Sequence, residues 1–379
     1  MNRIPLSLYI HTPWCVRKCP YCDFNSHTAP NGLPEEAYLQ ALLNDLDIEL
    51  ALIADRPIGS VFIGGGTPSL LSAGFYQNLF RRLSEQCHLV TGAEITLEAN
   101  PGSAEAERFD GYREAGINRL SMGIQSFDTD HLKKLGRIHD SEQAIAAVKL
   151  AQEAGFDNFN LDLMHGLPGQ TLDQSLSDLS TALSFQPAHL SWYQLTIEPN
   201  TEFYKRPPEL PQDETLWDIQ EAGQALLSER GYQHYEISAF SQPGRASQHN
   251  LNYWRFGDYL GIGAGAHGKI THLDGTIERR WKTRLPKDYL NISKHFLAGR
   301  EVIGPGQVGL ECLMNALRLH EGISVDMFQQ RTGLQLKAVE QPLQKAYSLG
   351  LLEQGNWIRA TERGRLYLNE LLALFLSDD

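Results

Sequence analysis

The chain alternates two hydrophobic rhythms. Short apolar, β-branched runs recur, each closed by polar residues or glycine: LSLYIHTP from Leu6, SVFIGGGTP from Ser60, EITLEANP from Glu94, RLSMGIQSF from Arg119, NFNLDLMHGLP from Asn158 and HLSWYQLTIEP from His189. They predict six strands. Between them apolar residues recur at helix spacing, in PEEAYLQALLNDLDIELALIA, SAGFYQNLFRRLSEQ, AERFDGYREAG, SEQAIAAVKLAQEAG, TLDQSLSDLSTALSF and LWDIQEAGQALLSERG. Strand–helix alternation of this kind predicts β/α units around a parallel sheet. Six units suit a partial (β/α)6 TIM-like barrel; a doubly wound open sheet is the alternative. Parallel α/β folds build their sites at the C-terminal strand ends, so all six polar strings are expected around one cavity.

The rhythm changes after Gly231. YEISAF predicts one more strand, SQPGRASQHNLNYWRFGDYLGIGAGAHGKI reads as irregular, and IERRWKTR as an exposed edge strand. From Gly304 two helices, a small hairpin in LLEQGNWIRATERG and a last helix in RLYLNELLALFL predict a mostly helical, winged-helix-like domain. The expected division is therefore a barrel over 1–231, a Gly- and aromatic-rich segment over 232–303 that completes it, and the helical domain over 304–379.

Charge argues against a polyanionic partner. Net charge is −13, and from Gly304 onward seven Lys and Arg face nine Asp and Glu. Nucleic-acid binding draws on Lys and Arg, so the winged-helix pattern reads as packing. No run approaches the about 18 apolar residues of a membrane span, and the opening stretch is not a signal peptide. A cytoplasmic location is expected, or a peripheral one at the inner membrane face. Thiols stay reduced there, so the five cysteines are metal ligands or free thiols.

Three of them, Cys15, Cys19 and Cys22, stand as C-x3-C-x2-C in HTPWCVRKCPYCDF. Zinc would need a fourth ligand, which His11, His27 or Asp23 could supply. An iron–sulfur cubane held by three thiolates would keep one iron open. An amino-carboxylate chelate suits that corner, and S-adenosylmethionine (SAM) carries one. Cys87 and Cys312 read as structural, and Gly263-x-Gly265-x-x-Gly268 lacks the strand–helix context of a dinucleotide site.

The cysteine spacing, with Tyr21 just before Cys22, resembles the radical SAM superfamily. The resemblance implies a [4Fe-4S] cluster on Cys15, Cys19 and Cys22. It also implies SAM bound by Tyr9, Tyr21, the glycine motif Gly64, Gly65, Gly66 and Thr67, and by Glu98, Gln125, Arg137 and Asp162. Nearly the whole chain further resembles oxygen-independent coproporphyrinogen oxidase and its relatives. The oxidase branch carries a further cysteine where this chain has Phe24. Together with FIGGGTPSLL, EANPG, NLDLMHGLPGQ and HNLNYWRFGDYLGIGAGAHGK, Phe24 resembles the heme chaperone branch. That implies heme as ligand, with His249 of H-N-x-x-Y-W on its iron and a pH dependence near the ordinary histidine value. It also implies transfer to apo-hemoproteins, including respiratory-chain enzymes, and an electron donor for the cluster; a homodimer is compatible. Porphyrinogen decarboxylation is the competing activity.

Overall fold

The structure, a computed structural model, describes residues 4–53, 55–102, 106 and 108–376. One sheet of twelve strands organises it: β1 (Leu6–Thr12), β2 (Ile58–Gly65), β3 (Leu89–Ala99), β4 (Arg119–Gln125), β5 (Phe159–His165), β6 (His189–Gln194), β7 (Gln233–Glu236), β8 (Ala239–Ser241), β9 (Asp258–Ile262), β10 (His267–Thr271), β11 (Ile277–Lys282) and β12 (Leu297–Val302). Across the sheet the order is β12-β11-β10-β9-β1-β2-β3-β4-β5-β6-β8-β7. The first six strands run parallel and in chain order. Right-handed crossovers wound in one direction put their helices on one face, which makes a barrel wall. A doubly wound sheet would reverse direction among these strands. The wall stays open because β9 to β12 extend one side and the β7–β8 hairpin the other.

Period-two alternation sorts each strand into an outer apolar and an inner polar set. In β1, Leu6, Leu8 and Ile10 join a core that includes Tyr38, Leu42 and Leu46 of helix Glu35–Leu50. The alternate residues Ser7, Tyr9 and His11 face inward. There they meet Ser60 and Phe62 of β2, with Ser7 Oγ 2.8 Å from Ser60 Oγ. Further along, Ser121 Oγ donates to Asp162 at 3.1 Å and Asn160 to the other Asp162 oxygen at 2.8 Å. Tyr193 donates to Gln125 at 2.9 Å. A buried polar group without a partner costs about 1–3 kcal/mol, so an inner face this polar holds only as a bonded network.

Beyond the six units three expectations need correction. YEISAF is not one strand but the turn and parts of both arms of the β7–β8 hairpin. The segment read as irregular holds helix Gln248–Trp254, strand β9 parallel to β1, and β10. Strand β11 is not an exposed edge, because β12 covers it. Its Arg280 and Lys282 are buried, and carboxylates of helix Glu35–Leu50 neutralise them: Lys282 Nζ lies 2.5 Å from Asp45 and 2.6 Å from Glu49. The alternating charges looked solvated because their partners lie far away in sequence.

The C-terminal part builds its own apolar cluster from helices Pro305–Ala316, Val325–Thr332 and Glu340–Ser348. Ile323–Ser324 pairs antiparallel with Trp357–Ile358, and Leu352 bridges Ala360, which forms the small wing. The last helix divides at Tyr367 into Glu362–Leu366 and Leu368–Ala373. Phe256 and Ile277 belong to this cluster, so the helical part packs on the segment that extends the barrel.

Candidate functional site

The cysteine loop leaves the end of β1. Its base is pinned where Trp14–Cys15 pairs with His27–Thr28 and Ala29 N–H donates to Cys15 O at 2.8 Å. Within the loop Cys22 N–H donates to Cys19 O at 3.1 Å, and Lys18 donates to Phe24 O at 2.9 Å. The result is a closed hoop that carries three half-buried thiols, Cys15, Cys19 and Cys22, into the wall of one cavity of about 920 Å³. Burial raises the Cys15 and Cys22 thiols above their ordinary value, so a metal binding there must displace protons. Among the described residues no three or more His, Cys, Asp or Glu side chains converge on a single-ion site. A wider group that takes one thiolate on each of several irons fits this donor set better than a lone ion.

The glycine motif lies against that hoop. Gly66 N–H donates to Thr12 O at 2.6 Å and Thr67 N–H to Trp14 O at 2.7 Å. Gly65 N–H donates to Glu98 at 3.1 Å. With these N–H donors engaged the backbone of the loop can serve a ligand only through carbonyl oxygens, which suits an N–H donor and not a phosphate. Gly65 has φ +110°, and a Cβ there would come within 2.5 Å of the His11 ring. Gly66 is as constrained, since a Cβ there would meet the Trp14 carbonyl oxygen at 2.5 Å.

The strand ends converge as the polar strings suggested. Thr67, Glu98, Gln125, Arg137 and Asp162 line the cavity with the thiols, Tyr21, Gly65 and Gly66. Arg137 donates to Asn100 and to Gly123 O, both at 2.7 Å, and its Nη1 stands 3.6 Å from Cys19 Sγ. A cation fixed beside the thiols suits an anionic cluster. Burial, then the charge of Asp162, pushes Glu98 up to about 7. Asp162 is raised too, chiefly by burial. Gln125 adopts φ +70°, a strained conformation for a non-glycine residue that aims its carboxamide into the cavity wall.

Two expected residues sit elsewhere. Gly64 is not among the residues lining this cavity; a Cβ there would meet Glu98 and Phe62 at 3.0 Å, so it makes room for those side chains. Tyr9 lines a second cavity of about 760 Å³, with its hydroxyl 3.0 Å from His11 Nδ1. That cavity adjoins the first. Phe24, Gly65, Glu98, Asn250 and Trp254 line both. Aromatic rings supply much of the rest of its lining: Phe62, Tyr253, Tyr259 and Trp281.

His249 lies on the inner wall of this second cavity. Ser247 caps its helix, and Glu94 accepts from the Gln248 and His249 N–H groups at 2.9 and 3.2 Å. Ser60 Oγ stands 3.3 Å from Nδ1, and the Phe62 ring packs 5.1 Å away. Among the described residues no group hydrogen-bonds Nε2, which leaves that nitrogen for a ligand. Burial, then the Arg119 charge, lowers His249 to about 3. A pH dependence near the ordinary histidine value is therefore not expected from this side chain, because the folded protein keeps it neutral well below that value.

The radical SAM superfamily model matches residues 9–179, and the HemN C-terminal domain model matches residues 305–367. Heme chaperone HemW of Escherichia coli strain K12 is 51% identical over 99% of this chain and 99% of its own. The chain belongs to the HemW family. Heme chaperone HemW of Haemophilus influenzae is also 51% identical, over 99% of both chains. The solved structure of Escherichia coli coproporphyrinogen III oxidase (HemN), a radical SAM enzyme, covers 98% of this chain and 90% of its own with a TM-score of 0.83 and 25% identity. The chain thus has a mixed α/β radical SAM fold with a helical C-terminal domain.

Motif reading passed over several residues of this site. Asn100 donates to Thr67 Oγ1 at 3.0 Å and accepts from Arg137, so it ties the glycine motif to the arginine. It was legible, since it sits in EANP two residues after Glu98. His11, Phe62, Tyr259 and His267 of the second cavity lie inside strings already singled out, but nothing local ties them to that cavity; Trp281 and Arg284 lie in the stretch read as an exposed edge.

Proposed function

We propose that the protein is a heme chaperone that binds heme in the second cavity and hands it to apo-hemoproteins, respiratory-chain enzymes among them. The observation that carries this reading is the aromatic cavity itself. It is large and mostly aromatic and apolar, it holds a neutral imidazole on its inner wall, and it opens beside the thiol cavity. Imidazole is a common axial ligand of heme iron, and aromatic faces suit a macrocycle. His249 is the assigned ligand.

In this reading Cys15, Cys19 and Cys22 hold a [4Fe-4S] cluster, whose open iron takes the amino-carboxylate end of SAM. The chain's own groups do the rest. Gly65, Gly66 and Thr67 present carbonyls to the N–H groups of the SAM amine, and Glu98 and Asp162 supply negative charge. Gln125, Arg137, Tyr21 and Tyr9 complete the assigned SAM set; Tyr9 acts from the second cavity, through the shared wall at Gly65 and Glu98. An electron donor serves the cluster. The division into a barrel over 1–231, an extension over 232–303 and a helical domain over 304–379 goes with this assignment. So does a location in the cytoplasm or at the inner membrane face; no helix among the described residues is long and apolar enough to cross a membrane.

Phe24 favours chaperone over decarboxylase. It is 60% exposed and lines both cavities, where the oxidase branch has a cysteine. The test is one anaerobically reconstituted sample assayed in parallel for heme binding and for coproporphyrinogen III decarboxylation. Heme binding without decarboxylation is expected. Decarboxylation with no heme binding would replace this reading with the dehydrogenase.

A further inference from the structure

The second cavity is electrically lopsided. Its inner wall carries Glu98, shared with the thiol cavity. Arg284 is the one lysine or arginine that lines it among the described residues. Arg284 is exposed, and no hydrogen bond or ion pair occupies its guanidinium among those residues. Yet its backbone is fixed. Asn25, next to Phe24 on the cysteine hoop, donates to Ala264 O and to Arg284 O, both at 3.0 Å. The histidine His267 stands near it and pairs across the strands with Trp281 of the same cavity. An unengaged guanidinium at the mouth of an apolar cavity, held by a rigid backbone, is a site waiting for a carboxylate.

We infer that Arg284 is the carboxylate-recognising residue of the second cavity, so that a tetrapyrrole enters with its propionates at the rim and its apolar edge toward the Glu98 wall. The inference rests on the heme reading above and adds the ligand's orientation. Carboxylates are costly to bury unpaired, and the inner wall would oppose them with Glu98. The rim offers water, a cation and a bidentate fork. The same geometry predicts selectivity among tetrapyrroles: those with free propionates over their esters.

The test compares ferric heme with ferric heme dimethyl ester, by absorption titration of the cluster-loaded full chain, for wild type, Arg284→Gln, Arg284→Lys and His249→Ala. The preference for the free acid is a ratio within each variant, so a partly misfolded sample does not mimic its loss. Wild type should prefer the diacid by about tenfold, the scale of one charge-assisted bidentate contact. Arg284→Gln should lose that preference while keeping the wild-type heme spectrum, and Arg284→Lys should restore part of it. A full preference retained in Arg284→Gln, with His249→Ala still altering the spectrum, overturns this inference alone. Heme spectra and affinity unchanged in His249→Ala, or no binding by wild type, overturn the heme reading and this inference with it.

Discussion

The two cavities share a wall and differ in how they are made. The thiol cavity is built at and near the C-terminal ends of consecutive parallel strands, each contributing polar residues to it. It is lined by hydrogen-bonded charge: Arg137 on Asn100 and Gly123, Asn160 and Ser121 on Asp162, Gly65 on Glu98. The second cavity draws its walls from β1, β2, helix Gln248–Trp254 and β9 to β11, elements separated by up to more than half of the chain. It is lined by rings. One presents a network of fixed polar groups; the other offers an apolar slot with few polar anchors. A cargo site should be of the second kind, since release needs few strong contacts to break.

The largest effect should separate the cavities outright. Substituting Cys15, Cys19 or Cys22 by Ala should remove essentially all cluster iron and sulfide, because each thiol sits on one pinned hoop with no spare donor converging among the described residues. Heme binding by the same samples should survive in reduced measure, since His249 takes its support from Glu94, Ser60 and Phe62 instead. Iron and sulfide content set beside heme titration checks both halves. Simultaneous loss of the two would mean that the cavities fold as one unit.

Next in size is the shared wall. Gly65→Ala forces a side chain into φ +110° and within 2.5 Å of the His11 ring. Strain of that kind costs about 1–3 kcal/mol, and relief must move the glycine loop or His11. The variant should keep its cluster but lose the change that SAM makes in the electron paramagnetic resonance spectrum of the reduced cluster. A wild-type response to SAM would remove the loop from the account.

Why the first cavity was legible as a whole, and the second only through Tyr9 and the H-N-x-x-Y-W string, follows from the same contrast. Cys15 to Cys22, the glycine motif and Glu98 each sit in a short string whose meaning is local, and period-two alternation carries them inward together. Gln125 was legible as a residue but not as a strained one, because φ is set by the β4–β5 register shift. The second cavity exists because β9 pairs parallel with β1, residue Leu8 beside Leu260, a contact across most of the chain. No pattern in either strand announces it. The misread strand β11 failed for a like reason: Arg280 and Lys282 look solvated until Asp45 and Glu49 are brought to them.

The slot itself predicts a smaller, sharper effect. His249→Ala should change the heme absorption spectrum and weaken binding by about tenfold or more, the loss of one axial ligand, with cluster iron unchanged. Its pH profile discriminates further. Wild-type binding should not fall through the ordinary histidine range near pH ~6.5, since burial holds His249 neutral down to about 3. A titration of heme affinity with a midpoint near that ordinary value, absent from His249→Ala, would show that the imidazole is far more exposed than this packing allows.

The smallest effect concerns Glu98, the acid common to both cavities. Its carboxyl is raised to about 7, first by burial and then by Asp162. The sign follows. Above that value it is a carboxylate and attracts the positive charge that SAM carries; below it the proton stays on and the attraction is lost. SAM affinity should therefore rise a fewfold between about pH 6 and about pH 8, at most about tenfold per unit of pH. Glu98→Gln should bind SAM more weakly at the upper end and show a flat profile. The folded protein follows the opposite sign. A carboxyl raised on folding adds stability below its unfolded value and loses it as pH rises through about 7, so Glu98→Gln should gain relative stability on the alkaline side. Thermal unfolding from about pH 4 to about pH 8, run without SAM, measures the second trend, and calorimetric SAM titration the first. If both profiles are flat in the wild type, Glu98 is ionised throughout, and the wall between the cavities is wetter than its packing implies.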